Sequence, residues 1–115
     1  MHFQIRRVPA LGLLVAALVG ASVEPARAGD AAVGRAKAHA VCQACHGEDG
    51  KAVLVGAANL SGQEKEYLVR QLRAFRAGSR HHEQMTIIAK SLSDADIENV
   101  SEWYSSIKVT IELPK

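Results

Sequence analysis

The chain has 115 residues and carries 14 Lys and Arg against 12 Asp and Glu, a formal net charge of +2. A chain of this length holds one small domain. Three of the basic residues and one of the acidic residues fall in the first 28 positions, so residues 29–115 carry 11 of each and no formal net charge. The positive net charge of the whole chain therefore does not indicate a nucleic-acid partner.

The first 28 residues are typical of a secretory signal peptide. Arg6 and Arg7 give a positively charged start, Ala10–Gly20 is an apolar run, and Ala26-Arg27-Ala28 is a small-x-small cleavage site. The apolar run is shorter than the ~20 residues that span a bilayer, which favours a cleaved signal over a membrane anchor. We therefore expect a mature protein that begins at Gly29 in a bacterial periplasm or an equivalent compartment.

A first helix is predicted over Ala31–Ala44, capped by Asp30 and ended by Gly47–Gly50. Cys42–His46 reads C-x-x-C-H, the signature of c-type haem attachment. Two thiols three positions apart lie on one side of a helical turn, where each can add to one vinyl group of a haem, and His46 can then bind the iron. The motif predicts one covalent haem c, in a protein that moves single electrons.

A second helix is predicted after an apolar loop, residues 51–60, that lies against the haem. Ser61 and Glu64 have the spacing of a capping box, and Gly78 ends the helix. The predicted apolar face consists of Tyr67, Leu68, Leu72 and Phe75. Arg70, Arg73 and Arg76 lie largely on the opposite face, which we expect to be solvated rather than a docking patch.

The remaining residues predict a polar loop over 79–84, a short apolar segment over Met85–Ala89 with one or two helical turns, and a last helix. Ser93–Asp96 caps this last helix. Its expected buried positions are Ile97, Val100, Trp103, Tyr104 and Ile107. Residues 108–115 form a tail in which Pro114 excludes a helix.

The chain resembles the class I c-type cytochromes, close to the bacterial cytochrome c553 and c4 group. The features that match, in order, are Cys42–His46 followed by Gly47–Gly50, Leu60–Gln63 with Tyr67-Leu68 and Gln71-Leu72, Phe75–Gly78 followed by Met85, and Leu92–Asp94 before the last helix. The resemblance implies an all-α monohaem domain over residues 29–115, with haem bound covalently by Cys42 and Cys45. It also implies that His46 and Met85 are the axial ligands of the iron. The resemblance further implies that the protein carries electrons by outer-sphere transfer to redox partner proteins, and that no small-molecule substrate binds at the iron.

Two further expectations come from the resemblance. Gly34 corresponds to a glycine of the first helix that crosses the last helix, here opposite Trp103 or Tyr104, because a residue without a side chain lets two helices approach closely. Relatives usually carry prolines in the loop after the haem motif, where this chain has Val55 and Ala58. A proline carbonyl commonly accepts the proton of the axial imidazole, and any backbone carbonyl can do the same.

Other interpretations of these residues stay open at this point. Cys42 and Cys45 could form a thioredoxin-like redox pair, although no βαβ pattern surrounds them. They could also form half of a zinc site with His46 and one of the other histidines, His39, His81 or His82, although a second C-x-x-C is missing. His81 or His82 could replace Met85 as the sixth ligand.

Other functions also stay open. The chain could be the haem subunit of a periplasmic dehydrogenase complex or have a membrane-associated partner, and a subunit of such a complex would copurify with its partner. It could be a catalytic or ligand-binding haem protein, which needs an open position on the iron. It could also be a non-haem metal or thiol protein.

Overall fold

The computed structural model describes residues 28–115, which form helices joined by loops without any strand. The bounds are α1 Ala31–Lys37, a π-helical segment Ala38–Cys42, α2 Gln43–His46, α3 Lys65–Ala77, α4 Glu83–Lys90 and α5 Asp94–Ser106. The all-α prediction is confirmed for this part of the chain. The predicted positive start and apolar run lie outside the described residues. None of the described helices has the length and apolarity to cross a membrane.

The first helical stretch begins as predicted and runs two residues beyond the predicted end. Asp30 caps α1, since its Oδ1 accepts hydrogen bonds from the backbone N–H groups of Ala32 at 2.8 Å and Val33 at 3.0 Å. The helix widens before the cysteines, where the Gln43 N–H donates to the Ala38 carbonyl five residues earlier. This π turn inserts one residue and so rotates the haem motif relative to α1.

The predicted capping box of Ser61 and Glu64 is wrong. Glu64 occupies the cap position of α3 without a side-chain cap bond. The Ser61 hydroxyl instead donates to the Asp49 carbonyl at 2.6 Å. The local sequence pattern assigned the Ser61 hydroxyl to the start of α3. In the structure this hydroxyl instead bonds to a residue that is distant in sequence, in the turn after the haem motif. The far end of α3 is as predicted, because Gly78 adopts the left-handed conformation with a φ of 79°.

The last two helices have well-defined starts. α4 begins at Glu83, two residues before the predicted apolar segment, because the His82 side chain accepts a bond from the Met85 N–H and caps it. α5 has a complete capping box, in which Ser93 Oγ accepts from the Asp96 N–H and the Asp96 carboxylate accepts from the Ser93 N–H, both at 3.0 Å. The predicted cap of α5 is confirmed.

α1 crosses α5 at Gly34, as expected. A Cβ atom built on Gly34 would overlap the Asn99 carbonyl and would lie 3.0 Å from Trp103 Cβ. Trp103 is therefore at the crossing, while the closest contact is the Asn99 backbone rather than Tyr104. The Asn99 side chain also joins the two helices, since its Oδ1 accepts from the Asp30 N–H at 2.8 Å.

The buried face of α5 holds most of the residues predicted for it. Ile97, Val100 and Tyr104 are buried, while Trp103 and Ile107 are partly buried. Ser101, which the sequence did not single out, is only 1% exposed.

The predicted solvated arginine face of α3 is confirmed for Arg70 and Arg73, which are exposed, and wrong for Arg76, which is partly buried. Arg73 pairs with Glu98 at 3.0 Å, and Arg76 pairs with Asp94 while donating to the Leu92 carbonyl at 3.0 Å. These two arginines hold α3 against α5, because their long side chains reach acceptors on the neighbouring helix. Arg70 remains exposed.

Candidate functional site

The helices of the described part of the chain form a cavity of about 420 Å³, and the four predicted site residues line it together. Cys42, Cys45 and His46 come from the end of the first helical stretch, and Met85 comes from the first turn of α4. The 54–60 loop, α3 and α5 complete the wall. A largely apolar cavity of this size is typical of a cofactor site.

The two cysteines are free, partly buried thiols. Burial raises the pKa of Cys42, and hydrogen bonding with Tyr104 and the charge of Lys37 oppose that shift less strongly. The Cys42 sulfur is therefore held as a neutral thiol in an apolar wall. Zinc binds thiolates, and among residues 28–115 no group of three or more His, Cys, Asp or Glu side chains is placed to hold a metal ion.

The His46 ring is fixed by the loop that follows the motif. Its Nδ1 lies 2.7 Å from the Ala58 carbonyl oxygen. A carbonyl oxygen only accepts, so Nδ1 carries the ring proton and Nε2 keeps its lone pair. The loop is itself tied to the motif, because the N–H groups of Val53 and Leu54 donate to the Cys45 carbonyl at 3.0 and 3.2 Å. The expected role of a backbone carbonyl is thus fulfilled at Ala58 without a proline.

Met85 is partly buried in the cavity wall, next to the apolar side chains of Ile88 and Leu92. His82 also lines the cavity, but its Nδ1 lies 3.4 Å from the Met85 N–H, which it caps. His81 is exposed and does not line the cavity. His39 is exposed, with its Nδ1 3.2 Å from a carboxylate oxygen of Glu48.

Trp103 and Tyr104 fix the turn that closes the haem motif, which sequence reasoning missed. The Trp103 indole N–H donates to the Glu48 carbonyl at 2.8 Å, and the Tyr104 hydroxyl donates to the Gly47 carbonyl at 3.0 Å. Burial raises the pKa of Tyr104 well above its usual range. The only signal in the sequence was a pair of adjacent aromatic residues that both carry a polar atom.

Two polar groups in the cavity wall were also missed. The buried hydroxyl of Ser101 has no hydrogen-bond partner among the described residues. Arg80 lies at the wall beside Phe75 and Gln71. An unpartnered buried hydroxyl is unusual in a folded protein. Ser101 therefore has a free donor for a group bound in the cavity.

The residues present fit a covalently bound haem. The two thiols of Cys42 and Cys45, an imidazole with a free Nε2 and a thioether line the same apolar cavity. Thiols can take the two vinyl groups, and nitrogen and thioether are ligands that haem iron accepts.

Comparison with known proteins agrees with this site. The family model described as "Cytochrome c" matches residues 31–108. Cytochrome c4 of Pseudomonas aeruginosa is 40% identical over 84 residues, which cover 73% of this chain and 41% of that protein. Cytochrome c-554(548) of Halomonas halodenitrificans is 43% identical over 82 residues, which cover 69% of this chain and 98% of that protein.

A solved structure and a further relative extend the comparison. Reduced cytochrome c4 from Pseudomonas stutzeri aligns with a TM-score of 0.66 at 39% identity, over 73% of this chain and 48% of that one. A thiosulfate dehydrogenase electron acceptor of Stutzerimonas stutzeri is 36% identical over 69 residues, 57% of this chain and 32% of that protein. The chain thus spans less than half of the cytochrome c4 relatives and nearly all of cytochrome c-554(548).

Proposed function

Since the chain belongs to the cytochrome c family, as a class I c-type cytochrome that transfers electrons and carries haem c, we propose that it is a periplasmic one-electron carrier with His46 and Met85 as axial ligands. The observation that carries the ligand assignment is the meeting of Cys42, Cys45, His46 and Met85 in one cavity wall. When bound, haem c supplies a single iron that exchanges one electron between its ferrous and ferric states.

The surrounding residues suit an iron with both axial positions filled. The Ala58 carbonyl orients His46 so that Nε2 is available to the metal. Met85 brings the thioether from a helix held by the His82 cap. With both positions occupied by protein, no site remains for a substrate, and the apolar wall limits the access of water. A thioether ligand raises the reduction potential, and so does an apolar shell, because it disfavours the extra positive charge of ferric iron.

The proposal of export is supported by the N-terminal pattern, and the contact of Gly29 with α5 is compatible with cleavage just before it. A Cβ built on Gly29 would overlap the Glu98 carbonyl, so Gly29 already packs against α5. The predicted cleavage after Ala28 would leave this contact intact and remove only residues that precede it. Haem attachment outside the cytoplasm follows from the same assignment.

Optical spectroscopy of the purified holoprotein tests the ligand assignment. The oxidised protein should show the weak far-red band of sulfur bound to ferric iron, and the reduced protein should bind carbon monoxide poorly. Met85→Ala should remove the band, lower the reduction potential and admit carbon monoxide. His81→Ala, which changes an exposed residue next to the same helix, is the matched control and should change none of these.

Two results would overturn the assignment. Absence of the band in the wild type, with carbon monoxide binding gained on His82→Asn, would make His82 the ligand. Ready binding of carbon monoxide by the wild type would replace the carrier function with ligand binding or catalysis. If the wild-type band on a denaturing gel does not stain for haem peroxidase activity, the protein carries no covalent haem and the cofactor assignment is wrong.

A second candidate function is an electron-accepting subunit of a periplasmic dehydrogenase. It is supported by the similarity to the thiosulfate dehydrogenase electron acceptor, although the match covers only 32% of that protein. Purification of the tagged protein from its native host tests it. A copurifying dehydrogenase that reduces the haem with its own substrate, thiosulfate being the first to try, would favour this function. Recovery of the haem protein alone would favour the free carrier.

A further inference from the structure

The Met85 side chain comes from a helix that is too short to be stable by itself. α4 has eight residues, and Met85 is the third of them. Isolated helices shorter than about 12–15 residues are marginal in water, and helix ends unwind more readily than helix centres. The position of the Met85 thioether in the cavity wall therefore depends on the residues that hold the first turn of α4.

His82 holds that first turn through two hydrogen bonds. Its Nδ1 accepts from the Met85 N–H at 3.4 Å, and its own backbone N–H donates to Thr86 Oγ1 at 3.0 Å. The two bonds are reciprocal, as in a capping box, with the second side chain one residue further into the helix. They satisfy two backbone N–H groups that have no partner within the helix.

The His82 ring is also held against α3. It meets the buried Phe75 ring edge to face, with the ring centres 6.5 Å apart and an angle of 75° between the planes. Both residues line the cavity. The cap of α4 is thus joined to the wall that faces the cofactor.

An imidazole is an unusual helix cap. Ser, Thr, Asp and Asn are preferred at this position, and the chain uses Asp30 for α1 and Ser93 for α5. An Nδ1 that accepts a hydrogen bond places the ring proton of a neutral imidazole on Nε2. In its capping role His82 therefore has no free lone pair for iron, in contrast to His46, whose Nδ1 carries the proton.

We propose that His82 is a positioning residue for the sixth ligand: it holds the first turn of α4 so that the Met85 thioether stays at the iron, and it withholds its own nitrogens. The inference rests on the proposed function, because it requires Met85 as the ligand. Without the cap the first turn can unwind, and the thioether is away from the iron for a larger fraction of the time. An external ligand binds only in that fraction, so its rate of binding reports the loss of the cap.

Binding of carbon monoxide to the reduced holoprotein, measured by stopped-flow absorption at pH 8, tests the proposal. His82→Ala removes the Nδ1 acceptor and should bind carbon monoxide about three- to tenfold faster than the wild type, the usual effect of one lost helix cap on an opening equilibrium. The far-red band of the oxidised protein should weaken as well. His82→Asn restores a side-chain cap and should recover most of the wild-type rate.

Ser93→Ala is the matched control, because it removes the cap of α5, a helix without a proposed iron ligand. It should lower the urea concentration at which the holoprotein unfolds, as His82→Ala does. Its carbon monoxide rate should stay close to the wild-type rate. The two variants together separate the positioning of Met85 from a general loss of stability.

Faster binding in His82→Ala, with recovery in His82→Asn and no acceleration in Ser93→Ala, supports the proposal. A wild-type rate in His82→Ala, equal acceleration in Ser93→Ala, or a His82→Asn variant as fast as His82→Ala would overturn it. If His82→Ala yields no holoprotein, Thr86→Val decides, because it removes the acceptor of the His82 N–H with little change of shape. Faster binding in Thr86→Val supports the proposal, and an unchanged rate overturns it. A wild type that lacks the far-red band or binds carbon monoxide readily contradicts the proposed function instead.

Discussion

The Tyr104 hydroxyl connects the last helix to the turn that closes the haem motif. It donates to the carbonyl of Gly47, a buried residue whose φ of 71° turns the chain immediately after His46. A buried carbonyl that loses its donor is left without compensation for lost hydration. The bond therefore contributes to stability and also fixes the residue that follows the proposed iron ligand.

Tyr104→Phe should lower the free energy of unfolding of the holoprotein by roughly 1–2 kcal/mol at neutral pH, because the Gly47 carbonyl stays buried without a partner. Tyr67→Phe is the control, since the Tyr67 side chain is 40% exposed, and we expect almost no change there. Urea unfolding followed by far-UV circular dichroism measures both. Equal stability of Tyr104→Phe and the wild type would show that the bond contributes nothing.

The close approach of α1 to α5 depends on the absence of a side chain at Gly34. Alanine normally stabilises a helix interior relative to glycine by about 0.5–1 kcal/mol. At Gly34 the added Cβ would overlap the Asn99 backbone, which, unlike a side chain, cannot relieve the overlap by changing its rotamer. The free-energy cost of this overlap should therefore exceed the gain in helix propensity.

Gly34→Ala should destabilise the protein by about 1–3 kcal/mol, because the two helices must separate or shift. Ala36→Leu adds more bulk at an exposed position of α1 and should change stability by less than ~0.5 kcal/mol. Thermal unfolding of the two variants beside the wild type provides the comparison. A stabilised Gly34→Ala variant would mean that the helices have space between them.

The capping box of α5 gives stability that depends on pH. The Ser93 backbone N–H, followed by Lys37, holds the pKa of Asp96 below its ordinary value of 3.8. A carboxylate with a lowered pKa in the folded state stabilises the fold above the unfolded pKa. That contribution is lost as the pH falls from about 4 through the folded-state value.

Asp96→Asn should therefore reduce stability by about 1 kcal/mol at pH 7. The difference from the wild type should shrink below pH 4, where the wild-type carboxylate becomes protonated. Glu66→Gln, an exposed change on α3 with no ion pair in the described region, should show no such convergence. Urea unfolding between pH 2.5 and 7 measures the gap, and a gap independent of pH would contradict the linkage.

These elements show what local pattern can and cannot predict. The caps at Asp30 and Ser93 and the stop at Gly78 use groups within a few residues of the helix end, so the sequence predicts them. The Ser61–Glu64 cap failed because the Ser61 hydroxyl has a better acceptor twelve residues away. The four cavity residues could be predicted from the motif and the resemblance. Arg80 and Ser101 could not, because only the packing of α3, α4 and α5 brings them to the same wall.

At the scale of the whole molecule, the described fold already has contacts at the position where the mature protein is predicted to begin. Gly29 packs on α5, and Asp30 both caps α1 and donates to Asn99. We expect the exported protein to have Gly29 as its first residue. Intact-mass measurement of the secreted holoprotein, as the mass of residues 29–115 plus one haem, checks this. Recovery of a membrane-bound form that retains Met1 would favour an anchor instead.

The bonds from Trp103 and Tyr104 also close a long loop of the chain. Their acceptors, the Glu48 and Gly47 carbonyls, lie 55 and 57 residues earlier. The turn after the haem motif is therefore locked only when the final helix has folded onto it. Until that docking, the exported chain keeps the cysteines on a segment without these two bonds, so we expect haem attachment outside the cytoplasm to precede the closure of the motif.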